Sequence, residues 1–391
     1  MNTLTIILLL FLLLFSLIKK SGKESLLLIA AFLLRLAILI LDYYHLVHIP
    51  FAGADTETFH YFALLKMAGY EVHFTHYTDF LVLIYSFTGT SRFFAQGINV
   101  AFSYCTLLVV NETTKIVGLS KKGQTVALFL TAFMPSLVAF SGILLREAWV
   151  QFFLTLSVYF FVRWYKRGGL TNVCLCFMSV LLSAYMHDGV LGAFIGYAIA
   201  FVLYRRQRNR ESFTVGSFLA LFIILAFALF VVNYLGSSID SKFSAIMEED
   251  LLETEISKNS GGSAYLQWMS GYSYGVSLLL SPIRMIYLLF SPIPFDWRGL
   301  LDIVVFCVDS SVYLFLFLTI FKKLKQASHL RKYLLISLLS ITLLFAMGTS
   351  NSGTAIRHRA KFYPFLVLTY CVAIKERDDA KHGYRVEGRI R

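Results

Sequence analysis

The chain has 391 residues, 58% of them hydrophobic, with 37 Phe, a formal net charge of +12 and a mean hydropathy of +0.69. Only 15% of its residues are charged, against about 25% in soluble domains, so one soluble core cannot absorb the apolar side chains and an all-α, polytopic membrane protein is predicted. The apolar runs are continuous and about twenty residues long, unlike the alternating segments of a membrane β-barrel, and the basic excess sits in short connections, which argues for membrane orientation and against nucleic acid.

In chain order, spans are expected near 2–18, 25–41, 93–117, 125–144, 148–163, 170–186, 189–204, 213–235, 299–321, 332–349 and 362–375. The first lacks a basic start and a small-residue cleavage site, so it reads as a retained helix and not a removed signal peptide. Basic clusters at 19–23, Lys121–Lys122, Arg163–Arg167, Arg205–Arg210, Lys322–Lys332 and from Lys375 onward share one side if these spans alternate. The positive-inside rule makes that side cytoplasmic. The expectation is about eleven transmembrane helices, N-terminus outside and C-terminus inside: one transmembrane domain over 1–375, then a basic cytoplasmic tail over 376–391. The five cysteines lie within or at the ends of apolar runs and read as buried small hydrophobes.

Three outer segments stand out, at about 42–78, 236–298 and 350–361. The first is rich in Tyr, His and Phe and holds "GADTETFHY", with Asp55, Glu57 and His60. The second begins with the acidic "MEEDLLETEISKNSGGS" and ends in "SPIRMIYLLFSPIPFDWRG", where an apolar stretch bounded by Pro282, Pro292 and Pro294 is too short to span and suits a re-entrant or interfacial helix. The third, "SNSGTAIRHRAK", places Arg357, His358, Arg359 and Lys361 within five positions, before a last helix expected to start at Pro364. Basic charge on the outer side runs against the orientation rule, so a functional role is expected for it.

Arginine forks bind phosphate oxygens in a bidentate way. Arg284, Arg298, Arg357, Arg359 and Lys361, each beside an apolar segment, therefore suit a lipid-linked phosphate or diphosphate and would stabilise it as a leaving group. A carboxylate at Asp55, or at Glu57, could take a proton from an acceptor hydroxyl or orient it. Arg146 and Glu147 sit where a helix reaches the outer face, and His187 with Asp188 reads as a tight structural turn. Arg35, deep in a span, needs a partner, and Asp309 is the opposite charge expected to supply it. Asp55 and Glu57 could ligate a divalent metal, although no set of three or four oxygen ligands has a recognisable spacing.

The acid-bearing "GADTETFHY", then "LIYSFTGTSRFFAQGINVAFS" and "FMPSLVAFSGILLREAWVQFFLTL", together resemble bacterial GT-C class membrane glycosyltransferases, more narrowly the mannosyltransferase and aminoarabinose-transferase type, over roughly residues 25–210. "SPIRMIYLLFSPIPFDWRG" and "GTSNSGTAIRHRAKFYP" are similar to polysaccharide-biosynthesis membrane proteins. The resemblance implies a multi-pass protein of a bacterial inner membrane with its site at the outer face. It implies a polyprenyl-phosphate sugar as donor, and transfer with inversion to a hydroxyl of a glycan, lipid or protein acceptor. Carried onto this chain, it makes Asp55 the base or acceptor orienter, Glu57 a weaker candidate, and Glu147 the second acid. Arg357, His358, Arg359, Lys361, Arg284, Arg146 and His60 complete the expected substrate-binding set. The extra first helix and the short basic tail depart from the family pattern. An O-antigen or capsule repeat-unit polymerase and a lipid-linked glycan transporter are the competing expectations. Few charges interrupt the spans, which disfavours a transport path.

Overall fold

A computed structural model describes residues 1–18, 20–52, 55–72, 75–205, 210–211, 264–269 and 274–381, with the single positions 219, 222 and 383. Most of the expected 213–235 span, the acidic 247–263 stretch, Gly53 and most of the tail beyond 381 lie outside the described residues. The described chain is almost wholly helical, with one two-residue antiparallel pairing of Tyr204–Arg205 with Arg210–Glu211.

The helices are α1 (Asn2–Leu17), α2 (Gly22–Tyr43), α3 (Asp55–Met67), α4 (His76–Thr88), α5 (Arg92–Val117), α6 (Lys121–Ala132), α7 (Pro135–Ala139), α8 (Glu147–Arg167), α9 (Leu170–Met186) and α10 (Gly192–Leu203). After these come α11 (Tyr274–Leu279), α12 (Ser281–Phe290), α13 (Leu300–Phe321, with a π-turn at Phe306–Ser310), α14 (His329–Met347) and α15 (Ser352–Lys381). Among the described residues, four are long and apolar enough to cross a membrane: α2, α5, α13 and α14. Several shorter apolar helices, including α1 and α9, accompany them.

Local chemistry sets the boundaries. Ser21 and Glu24 form a reciprocal capping box at the start of α2. Ser91 accepts from the Phe94 N–H at the start of α5, and Gly118 ends that helix in the left-handed region at φ 86°. Helix α5 is central, packing against α1, α2, α6, α8 and α15, while α8 lies between α5 and α9. The α10–α14 contact is backbone to backbone: a Cβ on Gly196 would stand 2.6 Å from both the Ser337 nitrogen and the Tyr333 carbonyl oxygen, and one on Gly192 would stand 2.4 Å from the Ile341 nitrogen. Small residues four apart are a recurrent way to seat two helices closely in a membrane.

Several expectations are corrected. The 125–144 run is not one span: Pro135 starts the separate five-residue α7, and residues 140–146 are irregular before α8. Proline constrains the residue before it away from helical geometry, and Met134 is extended. The 42–78 segment, expected as an outer loop, contains α3 and the beginning of α4. Pro364 does not start the last helix; α15 begins at Ser352, so the basic cluster occupies its first turns. Pro364 lacks the N–H that would bond to Ala360, and the surrounding packing carries the helix through.

The Arg35–Asp309 pair does not form. Arg35 is fully buried and donates to Ser103 Oγ at 2.9 Å and to the Ala31 and Ala132 carbonyls at 3.0 and 3.1 Å. Asp309 instead interacts electrostatically with Arg359. Two carbonyls and a serine hydroxyl thus meet a charge for which the sequence suggested a carboxylate. Of the cysteines, Cys176 and Cys371 are buried, Cys105 is half-buried, and Cys174 and Cys307 lie on the apolar exterior.

Side-chain ion pairs gather at the two ends of the bundle. One end joins Lys20, Glu112 and Lys115, and there Arg331 also pairs with Glu376 between Lys322 and Lys375. The other end carries Asp42, Arg92, Asp55, Glu147 and Arg357.

Candidate functional site

The first turns of α15 bring the basic cluster against the N-terminal end of α8. Arg357 donates from Nε to Glu147 Oε1 at 3.1 Å and from Nη1 to Asp55 Oδ2 at 2.5 Å. Lys361, one turn further along α15, donates from Nζ to the same Glu147 oxygen at 3.1 Å. Residues four apart share a helix face, so 357 and 361 converge on one carboxylate. Arg146, beside Glu147 in sequence, adds its field and donates to the Met186 carbonyl at 3.1 Å. Three cations therefore face two carboxylates from α3, the start of α8 and α15.

Burial grades sharply across the group. The Glu147 and Lys361 side chains are 0% and 1% exposed, Arg357 is 12%, and Asp55 is 46%. Glu147 and Lys361 form a buried floor, Arg357 projects from it, and Asp55 meets solvent. Asp55 and Arg357 both line a cavity of about 380 Å³, along with Phe51, Asp296, Arg298, Asp302, Asn351, Ser352, Gly353 and Thr354. Its far wall is the segment between α12 and α13, where the Arg298 N–H donates to Asp302 Oδ2 at 2.9 Å. Partial burial pushes the Asp296 carboxyl above its ordinary range, and Arg298 offsets this only in part.

The remaining expected ligands are placed elsewhere. Arg359 is fully buried on the other side of α15 and donates to the Leu289 and Ser291 carbonyls at 2.9 and 2.5 Å, with its guanidinium 5.1 Å from the Tyr313 ring centroid. It fixes the C-terminal end of α12, and through it the segment that supplies the cavity's far wall, and cannot touch a ligand there. Arg284 is buried and points Nη1 to the Met347 carbonyl at 3.5 Å. His358 is also buried: its Nδ1 lies 2.7 Å from Thr349 Oγ1 and its Nε2 lies 3.3 Å from His187 Nε2. The Gly189 N–H donates to His187 Nδ1 at 3.3 Å, so the pair ties the 187–191 turn to the α14–α15 connection. These side chains alternate around a helix, which the linear run "RHRAK" conceals.

Glu57 and His60 belong to a neighbouring group. Arg92 donates to Glu57 Oε1 at 2.6 Å and to Asp42 Oδ2 at 3.2 Å, and Gln96 donates to Asp42 at 2.6 Å. His60 Nδ1 lies 2.7 Å from the Tyr85 hydroxyl, and burial followed by the Arg92 charge holds the imidazole below its ordinary pKa. Sequence reasoning missed Asp42, Arg92, Asp302, Asn351 and Thr354. A carboxylate at the end of α2 and an arginine at the start of α5, across an expected outer connection, were the available signals for the first two.

Among the described residues no three His, Cys, Asp or Glu side chains converge as a metal-ligand set. The chain matches no family model, no curated protein and no solved structure.

Proposed function

We propose that this chain is a GT-C-like membrane glycosyltransferase of a bacterial inner membrane. It would move a sugar from a polyprenyl-phosphate donor to a hydroxyl of a glycan, lipid or protein acceptor at the outer face. The observation that carries this reading is the Asp55–Arg357–Glu147–Lys361 cluster: a half-exposed carboxylate and an arginine fork at one cavity, braced by a buried ion pair. The cluster sits at the end away from the Lys322–Lys332 and Lys375 positive groups, which favours the outer face under the positive-inside rule.

In this reading the donor phosphate seats on Arg357. Asp55 accepts the proton of the acceptor hydroxyl as that oxygen attacks the anomeric carbon from the face opposite the leaving group. The bond from anomeric carbon to phosphate oxygen breaks, and the charge that develops on the phosphate is met by the arginine. Glu147, with no exposed surface, holds Arg357 and Lys361 in place and does not contact substrate.

Arg298 and Arg357 line the same cavity, and two guanidiniums suit a diphosphate, which favours a repeat-unit polymerase as the second reading. A cell-surface glycan profile of a deletion strain separates the two. Loss of one sugar substituent supports the transferase; loss of chain length with single repeats retained supports the polymerase. Complementation with Asp55→Asn or Arg357→Ala, each at normal membrane levels, is expected to leave the defect in place. Full restoration by both variants would refute the site.

A further inference from the structure

Arg357 has two carboxylate partners, and they are not equivalent. Glu147 is fully buried and also held by Lys361, whereas Asp55 is 46% exposed, sits on the separate helix α3, and borders the cavity. The two carboxylates take Nε and Nη1 of Arg357, which leaves Nη2 to neither. In this arrangement the proposed base is bound by the proposed phosphate ligand: a phosphate gripped bidentately through Nη1 and Nη2 takes the Nη1 donor that Asp55 Oδ2 now holds.

We infer that a lipid-linked phosphate and Asp55 exchange on Arg357, so that seating the phosphate releases the Asp55 carboxylate toward the acceptor. This rests on the transferase reading and goes beyond it, because it makes the resting chain self-blocked and sets a binding order. A water or acceptor hydroxyl arriving first meets a carboxylate whose lone pairs are partly occupied and whose charge is neutralised by the guanidinium. Once a phosphate holds Arg357, Asp55 is displaced from its cation and its lone pairs are open to the acceptor. Glu147 keeps Nε anchored throughout, so the fork stays aimed at the cavity while its tip changes partner. A partly exposed ion pair is weak enough to be displaced, whereas a phosphate offers a charge-assisted bidentate contact. The donor phosphate therefore seats before Asp55 is free to take the acceptor's proton.

The exchange predicts that removing the Asp55 charge tightens phosphate binding through Arg357. The probe is undecaprenyl phosphate in detergent micelles, titrated onto the purified full-length chain, with phosphatidylglycerol as a competing lipid headgroup and inorganic phosphate as the free anion. Asp55→Asn is expected to bind undecaprenyl phosphate about fivefold tighter than the parent chain, as loss of an exposed ion pair implies. The same substitution in an Arg357→Gln background is expected to give no gain. That double-mutant cycle separates exchange on Arg357 from plain repulsion of the phosphate by a nearby acid, which would survive without the arginine. A gain that persists in the Arg357→Gln background, or no gain at all, overturns the exchange and leaves the transferase reading standing. Failure of the parent chain to bind undecaprenyl phosphate, or equal binding and equal gain with phosphatidylglycerol or inorganic phosphate, overturns the lipid-linked donor and the exchange with it. If Arg357→Gln does not purify as a single species, Arg357→Lys replaces it. An ammonium held by Glu147 lacks the fork needed to grip Asp55 at the same time, so the gain is again expected to vanish.

Discussion

Glu147→Gln is the most direct test of the buried floor. Glu147 is fully buried and accepts from Arg357 and Lys361 at 3.1 Å each, with Arg146 adjacent. The substitution keeps the shape and removes the charge, leaving three cations with Asp55 and, beside Arg146, Asp188 as nearby carboxylates. Removing one partner of a buried ion pair typically costs about 3–5 kcal/mol, because the remaining charge keeps its desolvation penalty without its counter-ion. Neutralising Lys361 at the same time restores the charge balance, so Glu147→Gln/Lys361→Met is expected to recover at least half of that loss. The assay is the apparent melting temperature of the full-length chain in one detergent at one scan rate, since heating of such a protein is commonly irreversible. A fall of about 5–10 °C is expected for Glu147→Gln, taking a few degrees or less per kcal/mol for a chain this long. A second arm, Lys361→Met alone, is expected to fall less, because Arg357 and Arg146 still neutralise Glu147. The reasoning fails if Glu147→Gln melts within 1 °C, on the order of the assay error, of the parent (a surface pair contributes only about 0–1 kcal/mol). It fails equally if the double variant is no better than Glu147→Gln.

Two further outcomes test the frame around the site. Gly196→Ala is expected to destabilise the chain by about 1–3 kcal/mol, as overpacking does, because its Cβ would meet backbone atoms of α14 at 2.6 Å; an unchanged melting temperature would refute the backbone contact of α10 with α14. For His60, the folded pKa lies below the ordinary 6.5 through burial and Arg92. The unfolded chain therefore binds more protons between the two values, and stability falls as pH drops through that window and is fully present above it. Melting curves from pH 7.5 to 5 should show the parent losing more stability than His60→Asn, and equal slopes would refute the assignment.

What the sequence made legible follows from how far each signal reaches. Helices α2, α5, α9 and α14 lie close to their apolar runs because hydrophobicity over about twenty residues is a local property. The break at Pro135 is equally local, but the apolar run continues across it and hides the boundary. Helices α3 and α4 do not read as spans because their apolar residues are mixed with polar ones: Asp55, Glu57, His60 and Asp79 interrupt the hydrophobicity that marks a span. The pairing of Asp55 with Arg357 joins positions 302 apart in sequence. No window over one chain reaches that distance; only sidedness, inferred from loop charge, put the two residues in the same region.

The basic run shows why charge alone misassigns roles. Side chains 357, 358, 359 and 361 point around a helix about 100° per residue, so four neighbouring positive or titratable groups face four environments. Arg357 reaches a carboxylate at the cavity, Lys361 a buried carboxylate, Arg359 two carbonyls and an aromatic face, and His358 a hydroxyl and a second imidazole. Arg35 and Arg359 both satisfy a deep guanidinium chiefly with carbonyl oxygens, and among the described residues Arg35 leaves one nitrogen and Arg359 two without a hydrogen-bond partner. Such groups cost free energy to bury; the hydrogen bonds that Arg359 makes hold the end of α12, next to the segment that forms one wall of the cavity. The residues in which the proposed exchange takes place, Asp55 and Arg357, are the partly exposed members of the cluster, and in a chain this apolar that gradient of burial points to a candidate site better than the count of charges does.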